Sequence, residues 1–121
     1  MEDFKLFDAE YRLMDLVWEG EPINSTALSK RCLEQFGWKK STTFNLIRKL
    51  TERGFLKNEN ATVTALAGRE DVRRYESEAV VEKTFGGSLP AFVAAFLKGR
   101  KLSEAETEEL RRMIEEAGHD G

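Results

Sequence analysis

Apolar residues recur at helical spacing in several stretches of this chain, and glycine closes most of them. In the first stretch Leu13, Leu16, Val17 and Trp18 line one face of a helix predicted over residues 9–19, with Met14 flanking. Asp8 is the expected N-cap and Gly20 the end. Glu21-Pro22 then turns the chain, because proline restricts the residue before it and cannot continue a helix. Asn24 or Ser25 starts a second helix running to about residue 36. Leu28, Cys32 and Phe36 fall on one face of it, and Gly37 sits at C′. A third helix follows within residues 37–54. Thr43, Leu46, Ile47 and Leu50 stand at i, i+3, i+4 and i+7 and form its core side, while Phe44, Asn45, Arg48, Lys49 and Glu52 lie off that stripe.

After Gly54 the period changes. Residues 55–57 and 61–66 read as two short strands, with Asn58-Glu59-Asn60 as the turn between them. Gly68 breaks the chain, and residues 69–84 read as a helix with Val72, Tyr75, Ala79 and Val80 or Lys83 on its inner face. Phe85-Gly86-Gly87 interrupts. Ser88 caps the next helix, with Pro90 tolerated in its first turn, and Leu89, Phe92, Val93, Phe96 and Leu97 form a continuous apolar stripe up to Gly99. Ser103 and Glu106 fit a capping box for a last helix whose apolar face is Leu110, Met113, Ile114 and Ala117. Gly118 is the expected end of that helix, with residues 119–121 frayed. Residues 1–7 read as a short lead-in, and no internal repeat or low-complexity run is present.

The pattern predicts a mainly α protein with a small β wing: a winged helix-turn-helix domain over residues 1–67, then a helical dimerisation region over residues 68–121. Two helices joined through a glycine, the second one basic and followed by a hairpin, carry the first half of that reading. Trp38 reads as a wedge between those helices rather than a base-stacking group. The second half rests on apolar area. A pair of tail helices cannot cover its own phenylalanines and leucines, and each large side chain left in water forgoes about 1.5–3 kcal/mol. A second copy in a two-fold contact is the simplest cover, and folding back on the first domain is the other arrangement. The residues assigned to the contact are Val72, Tyr75, Ala79, Phe85, Leu89, Phe92, Val93, Phe96, Leu97, Leu110, Met113 and Ile114.

Charge adds a polarity to this layout. The chain of 121 residues carries a formal net charge of −3, yet residues 37–57 hold Lys39, Lys40, Arg48, Lys49, Arg53 and Lys57 against Glu52 alone. Residues 1–60 balance ten basic with ten acidic side chains, and residues 61–121 set nine against twelve. A basic helix in an acidic protein points to a polyanionic partner; an ordinary solvated face is the alternative. The hairpin tip, with Lys57, Glu59 and two asparagines, is barely basic. Cys32 and His119 are the single cysteine and histidine, so no internal disulfide and no typical zinc site is expected, and Cys32 reads as a small buried hydrophobe. No cofactor is expected. There is no glycine-rich phosphate loop, no Cys–His pairing and no G-x-S-x-G, so an enzyme is disfavoured; Glu108-Glu109 and Glu115-Glu116 read as solvated pairs. No window resembles a membrane span or a secretory signal, which leads to a cytoplasmic expectation with no membrane partner.

Three patches give the chain a family resemblance. The first is Leu6 through Trp18, similar to L-T-x-A-E-x-x-V-M-x-x-L-W. The second is Gly37-Trp38-Lys39-Lys40-Ser41-Thr42-Thr43 through Leu50, with Arg53-Gly54-Phe55-Leu56. The third is Phe85-Gly86-Gly87-Ser88-Leu89, then Leu102-Ser103-Glu104-Ala105-Glu106 and Leu110. In order and spacing they resemble the penicillinase-repressor family (the BlaI/MecI/CopY type of bacterial winged-helix transcriptional repressor). The resemblance implies a repressor that binds a palindromic operator in double-stranded DNA as a homodimer. It places DNA contacts at Lys39, Lys40, Ser41, Thr42, Asn45, Arg48 and Lys49. The chemistry is compatible: Ser41 and Thr42 near a helix start suit phosphate, Asn45 suits an adenine edge and Arg48 a guanine edge, and Lys49 and Arg53 suit phosphate. Phe44 suits a thymine methyl or a sugar, or else packing on Trp38. Three departures stand out, the first a wing a little shorter and less basic than is usual in the family. Ala95-Phe96 occupies the place of the Asn-Phe bond at which some members are cleaved, and the cysteine cluster of copper-responsive members is missing. The target genes and the inducing signal or sensor are not written in any motif. The competing reading is a winged helix used for protein–protein interaction without DNA readout, since fold alone does not set function.

Overall fold

Leu13, Met14, Leu16 and Val17 are buried on one side of the first helix, α1 (Asp8–Gly20), as its spacing demands. The computed structural model describes residues 4–119; the first three residues of the expected lead-in and the fraying expected of Asp120 and Gly121 lie outside the described residues. The order of elements continues with β1 (Ile23–Asn24), α2 (Ser25–Phe36), α3 (Lys40–Glu52), β2 (Leu56–Glu59), β3 (Thr62–Ala65), α4 (Arg69–Phe85), α5 (Leu89–Leu97) and α6 (Glu104–His119). Two compact units divide the chain, one ending at Val80 and the other beginning at Val81.

The first unit is a winged helix. Leu28 and Cys32 of α2, Ile47 and Leu50 of α3, Phe55, Leu56 and Val63 of the hairpin and Val72 of α4 join the α1 stripe in one core. The three strands form an antiparallel sheet in the order β1-β3-β2, with Val63 between Ile23 and Asn58. Asn24 caps α2, its Oδ1 accepting from the Thr26 and Ala27 amides at 2.8 and 3.3 Å, and Gly37 ends α2 at φ +71°. A tryptophan staples the hairpin's exit to α1: Trp18 Nε1 donates to the Ala67 carbonyl at 2.9 Å.

Several expectations change. Phe7, not Asp8, is the residue preceding α1, and its amide donates to Glu10 Oε1 at 2.9 Å. β1 is an added element, two residues long and strand-like because Val63 and Thr62 pair with it. The hairpin turns at Asn60-Ala61, both at positive φ (51° and 62°), while Asn58 and Glu59 belong to β2. That pair of φ values makes a two-residue turn whose twist matches the strands. An alanine in the left-handed region carries a steric penalty that glycine avoids. Ala61→Gly is therefore expected to raise stability by about 0.5–1 kcal/mol, read as a higher urea midpoint at unchanged slope.

Helix α4 begins as part of the first unit. Val72, assigned to a dimer contact, is instead fully buried in the winged-helix core. Tyr75, assigned likewise, packs its ring 6.1 Å from that of Phe4. These two anchors keep the start of α4 on the first unit, so the compact head extends thirteen residues past the expected boundary at 67 to Val80.

The second unit has a different character. Ser88 caps α5, its Oγ accepting from the Ala91 amide at 3.1 Å. The capping box at α6 forms, with the Glu106 amide donating to Ser103 Oγ at 3.0 Å and the Ser103 amide to Glu106 Oε1 at 3.3 Å. Helix α6 runs one residue past Gly118 to His119. Phe85, Phe92 and Phe96 form a chain of ring contacts at 5.6 and 6.1 Å. Among its described residues none is buried, and Leu89, Val93, Phe96, Leu110, Met113 and Ile114 are all exposed.

Candidate nucleic-acid interface

The exposed side of α3 is set by its own period. Thr43, Ile47 and Leu50 point into the core, and the intervening positions Ser41, Thr42, Asn45, Arg48 and Lys49 face solvent. They follow one another at three- and four-residue steps, so they share a single face about two turns long. The junction ahead of α3 holds Phe36 and Trp38 with ring centroids 4.8 Å apart, and Trp38 packs half-buried against the core as the wedge reading requires.

At the start of α3 no side chain caps the helix. Lys39 takes the capping position, and its carbonyl accepts from the Thr42 and Thr43 amides at 3.0 and 3.2 Å. A helix start carries unsatisfied N–H groups and a positive partial charge. Exposed Lys39, Lys40, Ser41 and Thr42 surround it, which makes it a place for an anion such as a phosphate group. Lys40 Nζ stands 5.8 Å from the centre of the Phe44 ring, so half-buried Phe44 supports a lysine stem as well as the core.

Further along, Arg48 Nη1 lies 3.5 Å from Glu52 Oε1, with both side chains more than three-fifths exposed. Such a pair contributes about 0.3–0.5 kcal/mol, so the guanidinium is released to a better partner at little cost. Asn45, one turn before Arg48, faces solvent with both its amide donor and acceptor.

Arg53 does not belong to this face. Its Nη1 bonds both Glu10 carboxylate oxygens, at 3.0 and 3.1 Å, and its Nη2 donates to the Lys5 carbonyl. The guanidinium also lies 4.8 Å from the Phe55 ring centre. Glu10 is 8% exposed at its side chain and Arg53 30%, so the pair is a partly buried tie between the end of α3 and the start of α1. The signal for it was present in the chain. Glu10 stands three, four and seven residues before Leu13, Met14 and Val17, so a carboxylate on the apolar stripe required a cation from elsewhere.

The wing adds little charge. Lys57 Nζ and Glu59 Oε1 are 3.3 Å apart on the exposed side of β2 and neutralise one another. Cys32 is fully buried, and burial pushes its thiol up, the Thr43 hydroxyl and the Arg31 charge pulling down by less. It stays protonated at neutral pH and fills core space.

A helix-turn-helix with an exposed basic second helix, a following hairpin and a core closed by α1 and α4 is a winged-helix domain. The fold is shared with the multiple antibiotic-resistance repressor (MarR) from Listeria monocytogenes 4b F2365, at a TM-score of 0.56 and 19% identity over 96% of this chain and 75% of that one. The penicillinase repressor family model matches residues 6–116, and the chain belongs to that family. The methicillin resistance regulatory protein MecI of Staphylococcus aureus (strain N315) is 24% identical over 115 residues, covering 92% of this chain and 94% of that protein. The penicillinase repressor of Bacillus licheniformis is 24% identical over 116 residues, covering 93% and 91%. The protein is thus a winged-helix transcriptional repressor with DNA as its partner, a regulator and not an enzyme. No single helix among the described residues is long and apolar enough to cross a membrane.

Proposed function

We propose that this repressor binds a two-fold symmetric operator as a homodimer, in the cytoplasm. In this reading Asn45 and Arg48 of each head meet base edges in the major groove, and Lys39, Lys40, Ser41, Thr42 and Lys49 meet phosphates. Arg53 has no part in the contact. The tail joins the two copies through Phe85, Leu89, Phe92, Val93, Phe96, Leu97, Leu110, Met113 and Ile114, with Ala79 at its margin. One observation carries the reading. The polar face of α3 is exposed and weakly engaged, while the apolar face of the tail is exposed and uncovered, so one chain presents both a reading surface and a joining surface.

Joining matters energetically. One head makes few base contacts; a second head on a common tail binds at high effective concentration, with half-sites one helical repeat of about 34 Å apart or a multiple of it. The test is a fluorescence-anisotropy titration on duplex DNA selected from a random pool by the full-length protein. The selected sequence is expected to be an inverted repeat. With three lysines per head on phosphates, the logarithm of affinity should fall with the logarithm of salt concentration at a slope of roughly −5. Recovery of no preferred sequence, with a flat salt dependence, would instead favour a winged helix that serves protein–protein contact.

A further inference from the structure

Every arginine of the head but one already has an acidic partner. Arg31, Arg48, Arg53, Arg69, Arg73 and Arg74 each have a carboxylate oxygen at 3.0–3.8 Å. Arg12 has no ion pair, and no acceptor for its guanidinium N–H groups, among the described residues. Carboxylates stand close by on α1, with Asp8 one turn before it and Asp15 one turn after, yet Asp15 pairs with Arg69. What Arg12 meets instead is a ring. Its guanidinium carbon lies 5.7 Å from the centre of Phe36, the last residue of α2, and the Phe36 ring lies 4.8 Å from that of Trp38. Exposed Lys39 and Lys40 follow Trp38 directly. An exposed cation of α1 is thereby held at the α2–α3 turn, beside the start of α3.

We infer that Arg12 is a further DNA-contacting residue, whose guanidinium takes a backbone phosphate next to the one held at the start of α3. The inference rests on the DNA reading of α3 above. It extends the contact surface to a helix outside the basic stretch of residues 37–57. Three observations combine. The side chain is exposed, so a duplex can reach it. Its contact with Phe36 orders a long side chain before DNA arrives, which lowers the entropy lost on binding. Its N–H fork has no acceptor among the described residues, and that fork matches the oxygens of a phosphate. Arg48 must first leave Glu52, and Arg53 is tied to Glu10, so Arg12 is the arginine of the head that binds phosphate without giving up an ion pair. Shielding the Phe36 ring is the other role that the contact could serve. The two roles differ in salt dependence, because only a residue that neutralises a phosphate releases counterions when DNA binds.

The full-length protein and its Arg12→Gln and Arg12→Lys variants would be titrated by fluorescence anisotropy on the selected operator and on a scrambled duplex, each over a series of salt concentrations. A neutralised phosphate contributes about 0.9 to the slope, so losing one on each of two heads should make the slope for Arg12→Gln shallower by about 1.8. Affinity at moderate salt should fall about twentyfold, and by a similar factor on both duplexes, because attraction to phosphate carries no sequence information. Arg12→Lys keeps the charge but not the fork. It should restore the parent's slope while binding about threefold more weakly than the parent. Because Arg12 is exposed, Arg12→Gln should keep the parent's urea midpoint. The inference is overturned if the slope for Arg12→Gln equals the parent's, whether or not stability has dropped; a drop in stability alone would mark a residue that only shields Phe36. It is also overturned if Arg12→Gln loses its preference for the operator along with its affinity, which would mark a disturbed α3. A parent protein that binds no duplex would remove the DNA reading and this inference together; a parent that selects an operator while Arg12→Gln keeps the parent's slope would remove this inference alone.

Discussion

Changing Asn45 and Arg48 together to alanine is expected to lower the preference for operator over unrelated DNA by about a thousand-fold or more, with the dimer intact. A well-placed bidentate contact to a base edge discriminates by about 1–3 kcal/mol, and two residues on each of two heads lose four such contacts. Even at the lower bound this amounts to about 4 kcal/mol, and each 1.4 kcal/mol is tenfold. Residual binding should persist at low salt, because Lys39, Lys40 and Lys49 remain on the same face and their attraction to phosphate is independent of sequence. The fold should tolerate the change. Both side chains are exposed, and the one ion pair lost, Arg48 with Glu52, contributes a few tenths of a kcal/mol. Anisotropy on operator and scrambled duplexes, beside a sedimentation measurement of mass, separates the outcomes. A double variant that still discriminates would place base reading elsewhere on the molecule.

The second large effect lies in the tail. Phe96→Asp should shift the protein from dimer to monomer at micromolar concentration, and operator affinity should fall with it. Phe96 is 53% exposed in the single chain and lines a groove of about 460 Å³ with Phe92, Leu102, Leu110 and Met113. If a second copy covers that groove, each phenylalanine contributes about 1.5–3 kcal/mol of burial, and two-fold symmetry counts it twice. A carboxylate in its place adds a desolvation cost on both sides. The dissociation constant of the dimer should therefore rise at least a hundred-fold, as read by analytical ultracentrifugation. Ile114→Asp, at a position 70% exposed on α6, should act in the same direction. Because, among the described residues, none beyond Val72 belongs to the core of the head, the monomeric variants should keep the unfolding transition of the head. A Phe96→Asp protein that remains dimeric would show that the exposed stripe of α5 is not the joining surface.

The face of α3 was legible in the chain because it is a local property. With 3.6 residues per turn, Thr43, Ile47 and Leu50 inward necessarily leave Ser41, Asn45, Arg48 and Lys49 outward, whatever the neighbours are. Caps behave in the same way, since Asn24, Ser88 and Ser103 bond amides within three residues of themselves. The tail's apolar stripes were legible for a related reason. No described residue of that unit is fully buried, so composition and spacing already indicated which apolar positions the single chain leaves in water.

Contacts between residues far apart in the chain followed different rules. Arg53 looks like one more cation of the basic stretch, and only the approach of Glu10, forty-three residues earlier, turns it inward as a tie. Ile23 and Asn24 carry no strand period and become β1 because Val63 and Thr62 arrive beside them. Val72 and Tyr75 share the helical spacing of the tail, yet the core and Phe4 capture them for the head.

By itself, then, the amino-acid order determined which side chains α3 exposes, which residues cap α2, α5 and α6, and which stripes go uncovered, all set by the period and bonding reach of a few neighbouring residues. Tertiary structure alone decided which cations are already spent on partners and where the head ends, because those outcomes depend on which distant surfaces meet first and exclude water.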